Sequence, residues 1–195
     1  MNGATPRTVP GSDSNDRMPM PPLEELSAEQ QAAAGRIATG PRGAVFGPFV
    51  PLLRSPQATE HLQQLGAYLR YESPLPRSIF EMIVLLVARE WDQDFEWTYH
   101  LPLARAAGLS DETIDALSQR LDPPDLTAAE QSAYDIVIEL LTDRAVSDST
   151  FDRGVEAFGP QAVIDVVVTA GYYTTLAMVM NMAQTPPPPP TSLPG

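Results

Sequence analysis

The 195-residue sequence has no cysteine and no lysine, and only two histidines, His61 and His100. Without cysteine there is no disulfide, no thiolate nucleophile and no sulfur ligand for zinc, and redox compartment cannot be read from the thiols. Without lysine, Schiff-base chemistry through the protein is excluded. All twelve basic residues are arginines, so bidentate carboxylate recognition remains available. Two histidines leave an all-protein zinc site short of its usual ligands, and neither a metal nor an organic cofactor is expected. Positive charge is scarce as well: twelve Arg stand against 25 Asp and Glu, for a net charge of -13. A field of that sign repels phosphate backbones and anionic lipids, which argues against nucleic acid or a membrane surface as partner. A small anionic substrate would need an arginine beside it.

An apolar leader run is also missing. The N-terminal stretch MNGATPRTVPGSDSNDRMPMPP is polar and broken by proline, so a cytoplasmic location is expected. One long apolar stretch is present, from Ala162 to Ala183, interrupted by Asp165, Asn181 and a few Thr and Tyr. It is close to the length of a bilayer span. However, Asp165 would lie in hydrocarbon and no Lys or Arg follows to anchor an end, so a helix buried in a core or a subunit contact is expected.

The length suits one domain. Residues 1–20 read as a flexible arm, 21–184 as a single helical domain, and 185–195 as a proline-rich tail that cannot continue a helix. Between the ends the periodicity is helical, and no segment alternates like a strand. Ser27-Ala-Glu-Gln30 and Thr127-Ala-Ala-Glu130 have the capping-box pattern. Ser55-Pro56 gives an N-cap with proline at the first helical position, and Gly108 and Gly159 mark helix ends. A helix from near Pro76 through IFEMIVLLVARE is apolar on most sides and should be deeply buried. The segment 40–56, rich in Gly and Pro, is expected to lack regular helix. Its Val45, Phe46, Phe49 and Val50 should cover either the core or a pocket mouth.

Glu96 and His100 are four residues apart and share a helix face, where a carboxylate can orient an imidazole and raise its basicity. Such a pair is common at surfaces. Here it follows an apolar helix and is bracketed by Phe95, Trp97 and Tyr99. Glu81, one turn into the apolar helix, is a carboxylate that burial penalises unless it has a partner. His100, Glu96 and Glu81 are the candidate catalytic residues. Arg42, Arg54 and Arg77 are candidates to hold a substrate anion, and Trp97 and Tyr172 to contact substrate.

The pattern of Glu81 followed by Phe95-Glu96-Trp97 and His100, then Ala-Gly-Leu-Ser-Asp-Glu-Thr-Ile, resembles the motif region of the carboxymuconolactone decarboxylase/alkylhydroperoxidase-D family. Leu65-Gly66-Ala67-Tyr68-Leu69-Arg70, Pro74-Leu75-Pro76 and Gly171-Tyr172-Tyr173…Asn181 extend the likeness over residues 50–183. The resemblance implies an all-α, antiparallel helical bundle that assembles into dimers, trimers or hexamers. It also implies a cofactor-independent lyase (decarboxylase) or isomerase acting on a small carboxylic acid or lactone by Glu/His acid–base chemistry. The alternative is a non-catalytic oligomeric scaffold that kept the fold. Three departures stand out. The redox branch's two cysteines would fall at Gln93 and Glu96, so thiol peroxidase chemistry is excluded. Phe80 stands where the decarboxylases usually have Arg, and Gly171-Tyr172-Tyr173-Thr174 replaces a Gly-x-Pro segment, so substrate contacts should differ.

Overall fold

A computed structural model describes residues 15–188. After a short 3₁₀ turn, Leu23–Glu25, the regular elements among these residues are eight helices: α1 Ala28–Thr39, α2 Phe49–Leu52, α3 Pro56–Tyr71, α4 Arg77–Glu90, α5 Asp94–Ala106, α6 Asp111–Ser118, α7 Ala128–Thr142 and α8 Asp148–Ala183. The starts follow their caps. The Ser27, Ser110, Thr127 and Ser147 side chains each accept from the backbone N–H three residues on, and Ser27 and Thr127 form complete capping boxes with Gln30 and Glu130. Each such cap is worth about 1 kcal/mol.

Helix α4 is the centre. Every residue from Ile79 to Ala88 is buried, and α5, α6, α7 and α8 pack around it. A helix enclosed on all sides has no solvent face to carry polar residues, which is why its sequence reads as a continuous apolar run interrupted only by Glu81. Helix α5 is tied to the far end of α8 by Gln93. Its Oε1 accepts from Phe95 N at the start of α5, while its Nε2 donates to Asn181 Oδ1 at 2.6 Å.

Two segments differ from the sequence expectation. The short helix α2 lies inside the Gly/Pro-rich stretch, because Pro48 and Pro51 fall at its N-cap and first turn, where no amide hydrogen is needed. The stretch α8 is two helices joined end to end at a kink at Gly159, whose φ of 77° lies in the left-handed region, with Pro160 starting the second. That break stands where the sequence placed the boundary between a short helix and the final apolar one. By length and composition α8 could cross a bilayer, yet 56% of its most apolar window is buried in the fold. Asp165 lies on the buried face and accepts from Ser73 Oγ at 2.7 Å and from Tyr68 Oη at 3.0 Å, which fixes α8 to the end of α3.

At the N-terminus, Arg17 N donates to Ala183 O at 2.8 Å and Met20 packs on the core. Residues 1–14 of the arm and 189–195 of the tail, including part of the Pro186–Pro190 run, lie outside the described residues.

Candidate active site

Glu81, Glu96 and His100 come together in the interior. Glu81 is 0%, Glu96 4% and His100 1% exposed. The His100 ring is gripped on both edges: Nδ1 lies 2.6 Å from Glu81 Oε2 and Nε2 lies 3.3 Å from Glu96 Oε2. The i, i+4 spacing on α5 does bring Glu96 to the imidazole. The tighter contact, however, comes from Glu81 on α4. An isolated carboxylate at that depth would cost several kcal/mol, and Glu81 has two partners that offset it. Arg77, one turn earlier on α4, forms an ion pair with its other oxygen at 2.5 Å without the alignment of a hydrogen bond, and His100 takes the first.

Two residues that the sequence reading did not assign to the site complete it. Arg70, near the end of α3, brings Nη2 to 3.2 Å from His100 Nε2 and donates to Tyr173 Oη at 2.8 Å. Burial by itself lowers an arginine's pKa, but the Tyr173 hydroxyl and the Glu81 carboxylate outweigh it here and push Arg70 up, so the guanidinium stays charged. Tyr173, on α8, meets the His100 ring edge-on at 5.2 Å between centroids. Burial pushes its phenol well above the ordinary tyrosine range, with Arg70 pulling the other way, so it remains O–H.

The contacts at Nε2 have a chemical consequence. A guanidinium only donates, so Arg70 can hydrogen-bond Nε2 only when that nitrogen is bare. A carboxylate only accepts, so Glu96 can do so only when Nε2 carries a proton. Each protonation state of the imidazole therefore has a partner waiting. Nδ1–H stays with Glu81 in both.

His100 lines a cleft with Arg42, Arg70, Glu96 and Tyr173, with Phe46, Phe49, Phe95 and Tyr99 among its apolar walls. Nε2 is its cleft-side nitrogen, because its partners Arg70 and Glu96 belong to that lining and Glu81 does not. As it stands the cleft is narrow, with an interior volume of about 20 Å³, so a ligand larger than water requires it to open. Phe46 closes much of it by packing on Tyr99 at 5.3 Å and Phe95 at 6.5 Å. Phe46 and Arg42 both ride on the loop between α1 and α2, which makes turns at Gly43 and Gly47 with positive φ. The apolar residues of the 40–56 segment serve both roles expected of them: Val45 is in the core, Phe46 is at the cleft, and Phe49, the first residue of α2, is buried and also lines the cleft.

The other candidate residues divide by position. Arg42 lines the cleft, lies over the Phe49 ring at 4.4 Å and donates to Tyr172 Oη at 3.3 Å. Tyr172 thus holds Arg42 from behind. Arg77 is the outer partner of Glu81 and is not among the cleft residues. Arg54 is turned away, donating to the carbonyls of Val50 and Pro19. Trp97 lies under the Arg89 guanidinium, 4.4 Å from its ring centroid, and is also not among the cleft residues. One signal could have found Arg70: it belongs to the same short Leu-Gly-Ala-Tyr-Leu-Arg stretch that carried part of the family resemblance. Nothing local marked Tyr173 over Tyr172.

Residues 56–139 match the model of the carboxymuconolactone decarboxylase family. That segment runs from the start of α3 into α7 and contains Arg70, Glu81, Glu96 and His100. No curated protein matches the sequence. Among solved structures, the chain is similar to an uncharacterised peroxidase-related protein from Ralstonia eutropha with an alkylhydroperoxidase AhpD core. Its TM-score is 0.73 at 15% identity, covering 91% of this chain and 94% of that one. It is also similar to an Agrobacterium tumefaciens protein of unknown function described as a candidate antioxidant defence protein, AhpD. There the TM-score is 0.61 at 20% identity, covering 71% of this chain and 95% of that one. These two likenesses establish the helical fold.

Proposed function

We propose, from the match of residues 56–139 to the carboxymuconolactone decarboxylase family, a cofactor-independent lyase or isomerase of a small carboxylic acid or lactone, with His100 as its acid–base group. The observation that carries this reading is the buried imidazole held at Nδ1 by Glu81 at 2.6 Å while Nε2 faces the cleft. A carboxylate on Nδ1 fixes the tautomer and orientation of the ring and supports the imidazolium form.

In a decarboxylation, the bond from the α-carbon to the leaving carboxylate breaks and carbon dioxide departs. The electron pair moves into the adjacent carbonyl as an enolate. Nε2–H then gives its proton to carbon, and water restores it. An isomerisation uses the same nitrogen twice, first as base and then as acid. Glu81 is the orienting residue in this scheme and Glu96 faces the substrate, the reverse of the pairing expected from helical spacing alone. The peroxide chemistry of the thiol-bearing branch has no nucleophile here, since the chain contains no cysteine.

The test is a panel of small carboxylic acids and lactones incubated with the protein in deuterium oxide and read by mass spectrometry. The expected result is loss of carbon dioxide, or double-bond migration, with deuterium entering the product at carbon and no turnover by His100→Gln. Turnover that survives in His100→Gln would overturn the assignment.

A further inference from the structure

Two guanidiniums line the cleft and neither has a carboxylate partner. Among the described residues, the ion pairs involve Arg36, Arg77, Arg105, Arg120, Arg153 and His100, but neither Arg42 nor Arg70. Arg42 has one tyrosine hydroxyl and an aromatic face. Arg70 gives Nη2 to Tyr173 and His100, and its Nε is a buried donor with no acceptor. A charged guanidinium left this way inside a protein costs free energy unless an anion completes it.

The local charge count agrees. With His100 neutral, the cluster holds three guanidiniums (Arg42, Arg70, Arg77) against two carboxylates, Glu81 and Glu96. One positive charge is left over, in a chain whose net charge is -13. Resting on the lyase or isomerase reading above, we propose that Arg42 and Arg70 form a seat for one carboxylate, and that the ligands are flat, unsaturated monocarboxylates whose bodies lie against Phe46, Phe95 and Tyr99. The seated carboxylate is an anchor and not a leaving group, so the seat favours the isomerase form of that reading. A second carboxylate on the ligand would meet Glu96 and be repelled.

The seat also places charge where the reaction needs it. Arg70 Nη2 is 3.2 Å from the nitrogen that handles the proton, so an enolate oxygen forming beside His100 comes within reach of a guanidinium. The Tyr173 hydroxyl, held protonated, supplies a second donor on the same side.

Gly66 on α3 makes the seat possible. A Cβ at that position would run into both Tyr172 Oη and Arg42 Nη2. The absence of a side chain there is what lets Arg42 lie between α3 and Tyr172.

The experiment is isothermal titration with crotonate and with crotonamide, which has the same flat body without the charge. Crotonate should bind saturably and the amide at least about 10-fold more weakly, because the charged pair contributes the difference. Arg42→Gln and Arg70→Gln should each weaken crotonate by about 10-fold or more, and Arg54→Gln, turned away from the cleft, should leave it unchanged. Circular dichroism establishes that the variants are folded. If Arg70→Gln does not fold, Arg42→Gln on the exterior loop still decides the matter. Equal binding of acid and amide, equal losses in Arg54→Gln and Arg42→Gln, or no saturable binding of crotonate would each overturn the seat. The binding test needs no turnover. Crotonate bound as expected, with no acid on the panel converted, would remove the lyase reading alone. Turnover with an unchanged KM in Arg42→Gln would remove the seat alone.

Discussion

Glu81 Oε2 and His100 Nδ1 are 2.6 Å apart, on neighbouring helices, with both side chains at most 1% exposed. Glu81→Gln keeps an acceptor for Nδ1–H but removes the charge that supports the imidazolium. Turnover should fall by about 10²–10⁴-fold. The melting temperature should change little, because the Arg77 side chain is 40% exposed and can turn to water once its partner is neutral. Steady-state kinetics alongside a thermal melt separate the cases. Full activity with an early melt would make Glu81 a structural ion-pair partner only.

Glu96 lines the cleft and Glu81 does not, so the two carboxylates should leave different kinetic signatures. Glu96→Gln should alter KM together with kcat, since it removes a group facing the ligand. Glu81→Gln should act on kcat at near-constant KM. His100→Ala and His100→Gln should both abolish turnover. A Glu81→Gln enzyme whose only defect is KM would contradict the roles assigned to the pair.

Much of this was readable along the chain because the signals were local. Ser27 and Thr127 announce their helices by side-chain chemistry that operates within three residues, whereas Ser55 stands at the N-cap of α3 without a side-chain bond to it. Glu81 stood out because a carboxylate inside ten buried positions needs a partner, and Glu96 and His100 share a face by helical spacing. The parts that were not readable depend on which way a long side chain turns. Arg54 and Arg70 look alike in sequence, each near a helix boundary. Only the packing of α3 on α8 sends Arg70 inward to Tyr173, while Arg54 finds backbone carbonyls outside. That His100 lies closer to Glu81 than to Glu96 has the same origin. Spacing reports contacts within one helix, and the shorter bond crosses between two.

Gly66→Ala tests the seat from the backbone side. Alanine is a better helix former than glycine by about 1 kcal/mol, so α3 itself should not suffer. The new methyl group meets Tyr172 and Arg42, however, and relief requires the Arg42–Tyr172 contact to open. The expected outcome is crotonate affinity reduced about 10-fold or more, with overall stability lowered by no more than about 1–3 kcal/mol from crowding. Unchanged affinity in a folded Gly66→Ala protein would show that Arg42 does not need this position.

Glu139 gives a pH prediction with a definite sign. Its carboxylate accepts from Thr150 Oγ1 at 2.6 Å and from Ser147 N at 2.6 Å, joining α7 to the start of α8. The Thr150 hydroxyl, and then the Ser147 amide, hold its pKa below the usual glutamate range. A depressed carboxylate contributes stability that is fully present above the unfolded pKa and is lost as pH falls through the folded one. Thermal melts of wild type and Glu139→Gln should therefore differ near neutral pH, and the gap should close as pH falls below the ordinary glutamate range. A gap that stays constant down to acid would show that the carboxylate's charge is not what matters there.

The solvent side of α8 carries the last prediction, about assembly. Ile164, Val167, Met178 and Met182 are 60%, 37%, 51% and 49% exposed, and with Gly171 and Thr175 they repeat at helical spacing along one stripe. Such a row on a monomer leaves apolar area in water at about 25 cal/mol per Å². The stripe is nearly symmetric about Gly171, where a Cβ would meet nothing within 4 Å. An antiparallel copy crossing at that point sets Ile164 against Met178 and Val167 against Thr175, with the backbones free to approach at the glycine. Light scattering at micromolar concentration should therefore give an oligomer. An Ile164→Glu, Met178→Glu double variant should give a monomer with unchanged helix content, because both positions point outward and neither supports the core. A wild-type monomer would refute the assembly, and an oligomer that survives the double variant would move the contact to a different face.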